Sequence, residues 1–270
     1  MSDDILEKIE EKYSELGENP LQYLKGLYHS KPTNYWDYIQ VDTLLSLQKP
    51  KTEFKDETVF IIYHQITELV LKLMIHEVRQ VTTAKHVTED LFKDKLKRLI
   101  RYTDMLITSF DVMKDGMSYE DYNQFRLSLI PASGFQSAQF RFLEIYCTPL
   151  INLIHKSQRQ NLPKHPDISD YFEHIYWKSA GYSPKNKYKS LTLSLFEDKY
   201  LEDLKLLATD VKGKTLSERF QDIENPSEEL VNHMKNFDHA YNVKWPLVHL
   251  NTAKHYLDKK GENKKATGGS

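Results

Sequence analysis

Residues 60–78 read FIIYHQITELVLKLMIHEV. The run is apolar nearly all round at helical spacing, the pattern of a helix that belongs inside a protein. Yet His64, Glu68, Lys72 and His76 recur at every fourth position and so stack along one line of that helix. Ionisable groups in a core are costly unless they have partners or a task. The stretch therefore predicts an interior helix whose polar line is either satisfied by neighbouring helices or met by a ligand.

Reading outward, Asp56 and Glu57 are acids of the kind that favour a helix N-terminus, and they extend this helix to 56–82. Residues 3–16 suit a short amphipathic helix. Thr88, followed by Glu89 and Asp90, opens the next one, and Ser118 with Asp121 resembles a capping box for YEDYNQFRLSL. IPASG breaks the chain, and a helix is expected over 135–155 with a kink at Pro149. Residues 156–189 are polar, with one short helix expected around DYFEHIYW. YKSLTLSLF alternates like a strand, but EDKYLEDLKLLATD is helical, and helix is the reading taken there. Ser227 begins a last helical run to about Lys259, interrupted in principle by Pro246. With no internal repeat and no clean linker, the expectation is an all-α fold, a single helical-bundle domain over residues 1–270.

Composition excludes several function classes. A chain of 270 residues can bury a sizeable core. Its one cysteine, Cys147, excludes an internal disulfide, a four-cysteine zinc site and a C-x-x-C-H haem attachment. The 37 basic and 39 acidic side chains nearly cancel, so no nucleic acid or anionic membrane is expected as a partner. MSDDILEKIEEKYSEL lacks the basic and apolar regions of an export signal, and no uninterrupted apolar run is long enough to span a bilayer. A cytoplasmic protein is expected. Neither G-x-x-x-x-G-K-[ST] nor G-x-G-x-x-G occurs, which argues against nucleotide phosphates.

Three pairs at i, i+4 spacing carry candidate chemistry. Phe60 and His64 share a helix face, although a lone histidine there is more often a hydrogen-bonded core residue. Tyr122 and Arg126 bring a phenol beside a guanidinium, a surface cation with an aromatic neighbour or else a carboxylate clamp. Trp245 and His249 form the third pair, and His233, His239 and His255 compete with His249 as a ligand from that region. H-E-x-x-H is absent, and no histidine has a glutamate three residues before it, as a carboxylate di-iron bundle needs. A metal held by one protein ligand, as haem iron can be, remains.

Four stretches together resemble the tryptophan 2,3-dioxygenase family. NYWDYIQVDTLLSLQKP resembles Y-x-x-Y-L-x-L-D-x-L-L-x-x-Q, and DETVFIIYHQITELVLKLMIHEV resembles D-E-x-x-F-I-x-x-H-Q-x-x-E-L-W-x-K-x-x-x-H-E. PASGFQSAQFRFLE matches P-S-S-G-F-Q-S-x-Q-x-R-x-x-E, and the terminal TGGS matches the family's substrate-loop motif. The resemblance implies an all-helical haem b enzyme, usually a homotetramer. It would open the indole C2–C3 bond of L-tryptophan with O2 to give N-formylkynurenine, in the kynurenine pathway of tryptophan catabolism. It implies that His64 is the distal histidine beside the indole N–H, that Phe60 packs the pocket and that Tyr122 and Arg126 take the substrate carboxylate. His249 would be the proximal iron ligand, selected by the W-x-x-x-H match to Trp245. Thr267 would contact the amino acid's polar end, Ser133 and Gly134 would lie near the haem, and Tyr35, Tyr38 and Ile39 would close the pocket of a neighbouring subunit. Glu68, Lys72 and His76 would then be structural partners within the bundle.

The chain departs from the family pattern in places. Pro246 follows Trp245 where the family has arginine, and Ala132, Val70 and Ala266 replace a serine, a tryptophan and a glycine. Two other readings follow from these departures: a haem-dependent oxygenase acting on a substituted tryptophan or another indole, and a helical assembly protein without catalysis.

Overall fold

Side-chain caps set most of the helix starts. In the computed structural model, which describes residues 2–129, 136–182 and 188–258, the backbone forms two compact units, Met1–Gln48 and Lys49–Ser270. The first contains α1 (Ser2–Glu15), α2 (Pro20–His29, capped by Asn19) and two single-turn helices, α3 (Tyr35–Tyr38) and α4 (Val41–Leu44). None of its described side chains is buried. Leu16, Leu21, Leu27, Tyr28, Tyr35, Trp36, Tyr38 and Leu45 are all exposed.

The second unit is built on α5 (Glu57–Thr82) and α6 (Glu89–Asp115), which pack along each other. Thr88 caps α6 by accepting the Leu91 N–H. α7 (Tyr119–Phe125), α8 (Ala138–Cys147), α9 (Ile168–Glu173), α10 (Leu191–Asp210) and α11 (Leu216–Gln221) follow, and α12 (Glu228–His239) and α13 (Trp245–Asp258) close the unit. Among the described residues the only β pairing is two isolated bridges, Ile154 with Ile175 and Tyr182 with Lys189, so the all-α expectation holds. One core joins Leu71, Met74 and Val78 of α5 to Phe92, Leu96 and Leu99 of α6, Leu143 of α8 and Phe237 of α12. A second, around Phe172, Trp177, Leu193 and Leu204, joins α9, α10 and the segment between them.

The elements differ from expectation where local chemistry intervenes. The helix expected over 135–155 ends at Cys147, and Pro149 introduces a 3-10 turn, Leu150–Leu153, where a kink was expected. Pro246 was expected to interrupt the last run. Instead the chain stays helical through it, because a π turn, Ala240–Lys244, lies immediately upstream and the Trp245 N–H reaches back to the Ala240 carbonyl. A π turn widens the helix at the place where a proline ring would otherwise press on the preceding turn.

α5 itself is half open. Tyr63, Val70, Leu71, Met74, Val78 and Val81 are buried, but Ile62, Ile66, Leu69 and Leu73 form an exposed apolar stripe. The interior-helix reading therefore holds for one side only. Lys72 and His76 are exposed, and the side chains of Glu68, Lys72 and His76 make no hydrogen bond or ion pair among the described residues. The structural role expected of them falls to Glu77, which is buried and pairs with Lys95 at 2.9 Å and with Arg98 at 3.4 Å. By length and composition α5 is apolar enough to cross a membrane, yet it packs against α6 and α8 as a bundle helix does.

Candidate functional site

A third apolar cluster gathers where the N-terminal half of α5, the C-terminal half of α6, α7 and α13 meet. Tyr63, Phe110, Met113, Met117, Phe125 and Tyr256 are buried in it, with Phe60, Tyr122, Trp245 and Val248 packed against them. The fold thus brings the three candidate pairs to one place. The Phe60 ring lies 4.0 Å from His64, 6.2 Å from Tyr122 and 5.6 Å from Phe125. From the other side, Phe110 stands 5.7 Å from both His249 and Tyr63. The Arg126 guanidinium lies 5.7 Å from the centre of the Tyr122 ring. Trp245 reaches the cluster but turns its ring toward Phe140, at 5.3 Å, and Tyr241, at 5.5 Å.

His64 has a fixed tautomer. Its Nδ1 lies 2.7 Å from the Phe60 carbonyl, and a carbonyl only accepts, so Nδ1 carries the hydrogen and Nε2 keeps its lone pair. Burial lowers its pKa; the bond to Phe60 opposes this, and the nearby His249 adds to the lowering. Burial also lowers the pKa of His249, so both are neutral imidazoles at neutral pH. Both rings nonetheless expose surface to solvent. His249 makes no side-chain hydrogen bond among the described residues. Burial raises the pKa of Tyr122 against the pull of Arg126, so its phenol stays a donor.

Other candidates fall elsewhere. His233 is engaged with the Glu229 carbonyl at 2.7 Å, and His239 is exposed outside the cluster. Tyr35, Tyr38 and Ile39 belong to the first unit and are exposed. Ser133, Gly134, Thr267 and the His255 side chain lie outside the described residues. Among the described residues no group of three or more histidine, cysteine or acidic side chains is placed to hold a metal. Sequence reasoning missed Tyr63, Phe110, Phe125 and Tyr256. Spacing carried a signal for three of them, Tyr63 three residues after Phe60, Phe125 three after Tyr122 and Tyr256 seven after His249, each on the same helix face as its partner.

A sequence model of tryptophan 2,3-dioxygenase matches residues 25–164, a little over half the chain, and includes Phe60, His64, Tyr122 and Arg126. The chain belongs to the tryptophan 2,3-dioxygenase family. It is similar to the tryptophan 2,3-dioxygenase of Ruegeria sp. (strain TM1040), 38% identical over 128 residues, 47% of this chain and 45% of that protein. The same enzyme of Polaromonas sp. (strain JS666 / ATCC BAA-500) is 40% identical over 118 residues, 43% of this chain and 39% of the relative. That of Bacillus thuringiensis (strain Al Hakam) is 36% identical over 133 residues, 46% and 47% of the two chains. The chain spans about half the length of the curated relatives it matches. Trp245, His249 and Tyr256 lie beyond the stretch that defines tryptophan 2,3-dioxygenase membership here.

Proposed function

We propose that the protein is a haem-dependent dioxygenase that opens the indole C2–C3 bond of L-tryptophan with O2 to give N-formylkynurenine. The observation that carries this reading is the convergence of two neutral imidazoles, His64 and His249, with the Tyr122–Arg126 pair on one aromatic cluster.

The donor set fits a haem. His249 is a neutral imidazole with no competing hydrogen bond among the described residues, beside the Phe110 ring, and a single axial histidine is a common way to hold haem iron. Bound there, haem would supply the reactivity toward O2, and the protein would supply placement. His64 presents a lone pair at Nε2, which can accept the indole N–H and orient the ring. An orienting bond is all that is asked of it, since an indole N–H is a very weak acid. Arg126 offers a planar fork for the amino acid carboxylate, and the Tyr122 phenol donates beside it. Two fixed points determine which indole carbon faces the oxygen. With substrate bound, Phe60 and Phe125 would pack against the indole and keep water from it.

The remaining roles are part of the same proposal. Ser133 and Gly134 would lie near the haem, Thr267 would contact the polar end of the substrate, and Tyr35, Tyr38 and Ile39 of a neighbouring copy would close the pocket of a cytoplasmic homotetramer. The exposed aromatic residues of Met1–Gln48 support that assembly.

The test is a substrate-by-mutant cycle. Hydrogen bonds to charged groups contribute roughly 1.5–3 kcal/mol, so Arg126→Ala should lower kcat/KM for L-tryptophan by at least about tenfold. Tryptamine, which lacks the carboxylate, should be a poor substrate of the parent enzyme and lose little further in the variant. If both substrates fall by one factor, Arg126 supports the fold or the haem, and the clamp is wrong.

A further inference from the structure

Asp56 occupies the N-cap position of α5, yet its carboxylate does not cap its own helix. It accepts the backbone N–H of Ser118 at 2.5 Å. Ser118 is the N-cap of α7, and its hydroxyl accepts the Asp121 N–H at 3.2 Å. In a full capping box the Asp121 side chain would return a bond to the Ser118 N–H; here a carboxylate from another helix has taken that donor. The start of α7 is therefore tied to the start of the helix that bears His64.

The other flank of α7 is held from α13. The Tyr256 ring lies 4.3 Å from Tyr122 and stacks on Tyr119 at 6.1 Å, while its hydroxyl donates to the Met113 carbonyl of α6. Tyr256 is 3% exposed, and burial with the neighbouring Tyr122, Asp115 and Asp56 pushes its phenol up to about 12, so it remains a donor. Asp56 precedes His64 by eight residues and Tyr256 follows His249 by seven, about two helical turns in each case. α7, a helix of seven residues carrying Tyr122 with Arg126 at its end, is thus suspended between the two helices that carry the histidines.

We infer that Asp56 and Tyr256 are positioning residues that set the register of the Tyr122–Arg126 pair against His64 and His249. Neither touches the substrate; each acts through α7. The consequence for substrate rests on the proposed function, whereas the mechanical link does not.

The experiment uses the full chain loaded with haem and compares Asp56→Ala with Asp56→Asn, which keeps an acceptor oxygen, and Tyr256→Leu with Tyr256→Phe, which keeps the ring. Asp56→Ala and Tyr256→Leu should raise KM for L-tryptophan about tenfold, equivalent to about 1.4 kcal/mol. Their kcat should stay within about threefold and the Soret band should not move. The Asn variant should recover the parent KM, the Phe variant, which keeps the ring but not the bond to the Met113 carbonyl, should recover most of it, and KM for tryptamine should be unchanged throughout. In the haem-free chain, amide exchange at Ser118 should quicken in Asp56→Ala and not in Asp56→Asn. An equal rise for tryptamine, a shifted Soret band, or a Ser118 amide indifferent to Asp56→Ala would overturn the inference. Should the parent not oxidise L-tryptophan at all, the proposed reaction fails separately. Equilibrium dialysis of L-tryptophan then decides the inference: affinities equal across the variants, or no binding by the parent, would overturn it as well.

Discussion

At the scale of single residues the site depends on two imidazoles kept neutral. Both have folded pKa values below the ordinary histidine value of about 6.5. Protonation therefore favours the unfolded chain, and stability rises with pH wherever the unfolded state binds more protons. The haem-free protein should keep its full stability above about pH 6.5 and lose it progressively as pH falls from there toward the lowered folded values. Thermal melts between pH 5 and 7.5 on the parent and on the double variant His64→Gln/His249→Gln would check this, the variant giving the flatter profile; parallel profiles would contradict it. Spacing alone paired Phe60 with His64 and Tyr122 with Arg126 but left a core histidine and a surface cation as the simpler readings, and their site roles came from the family resemblance. His249 could not be separated from His233, His239 and His255 because spacing shows which residues line up but not what stands opposite, and here the answer is Phe110. The same gap misassigned Glu68, Lys72 and His76. Ile62 and Leu69 are as apolar as Val70 and Leu71, so periodicity alone did not say which side of α5 faces the core.

Between elements, a buried pair joins Glu77 on α5 to Lys95 on α6, both side chains under 10% exposed. Removing one partner of such a pair leaves an unpaired buried charge, which costs about 3–5 kcal/mol. Lys95→Met should sit at the low end, about 3 kcal/mol, because Arg98 still reaches Glu77 from the surface. Adding Glu77→Leu should recover much of the loss. Urea unfolding of the single and double variants measures both, and a double variant no more stable than Lys95→Met would show that packing, and not the orphaned carboxylate, sets the cost. Helix starts were legible through Thr88, Ser118 and Ser227, each of which accepts a backbone N–H of the helix it opens. The passage through Pro246 was not, since no residue pattern announces a π turn, and its consequence is a continuous helix bringing Trp245 and His249 to the site.

For the whole molecule what matters is what lies unburied: the Ile62, Ile66, Leu69 and Leu73 stripe of α5 and a first unit with no buried side chain among its described residues. Apolar area of that kind marks an interaction surface. Under the proposed assembly, Leu69→Glu combined with Leu73→Glu should shift sedimentation toward the monomer, and the monomer should lose activity as its pocket stands open to water. An active monomer, or an unchanged oligomer, would contradict this. Periodicity marked α5 as an apolar helix, but it did not distinguish the exposed Leu69 and Leu73 from the buried Leu71.

The first unit also has a consequence in time. Synthesis delivers Met1–Gln48 before Lys49–Ser270, and at about 5–20 residues per second the second unit takes roughly ten to forty seconds to follow. Through that interval the amphipathic α1 and α2 emerge with their leucines and tyrosines bare, open to chaperones and proteases. If the surface they need belongs to another copy, even a chain with both units made waits for an encounter, so the fate of each new molecule depends on how many earlier ones have survived.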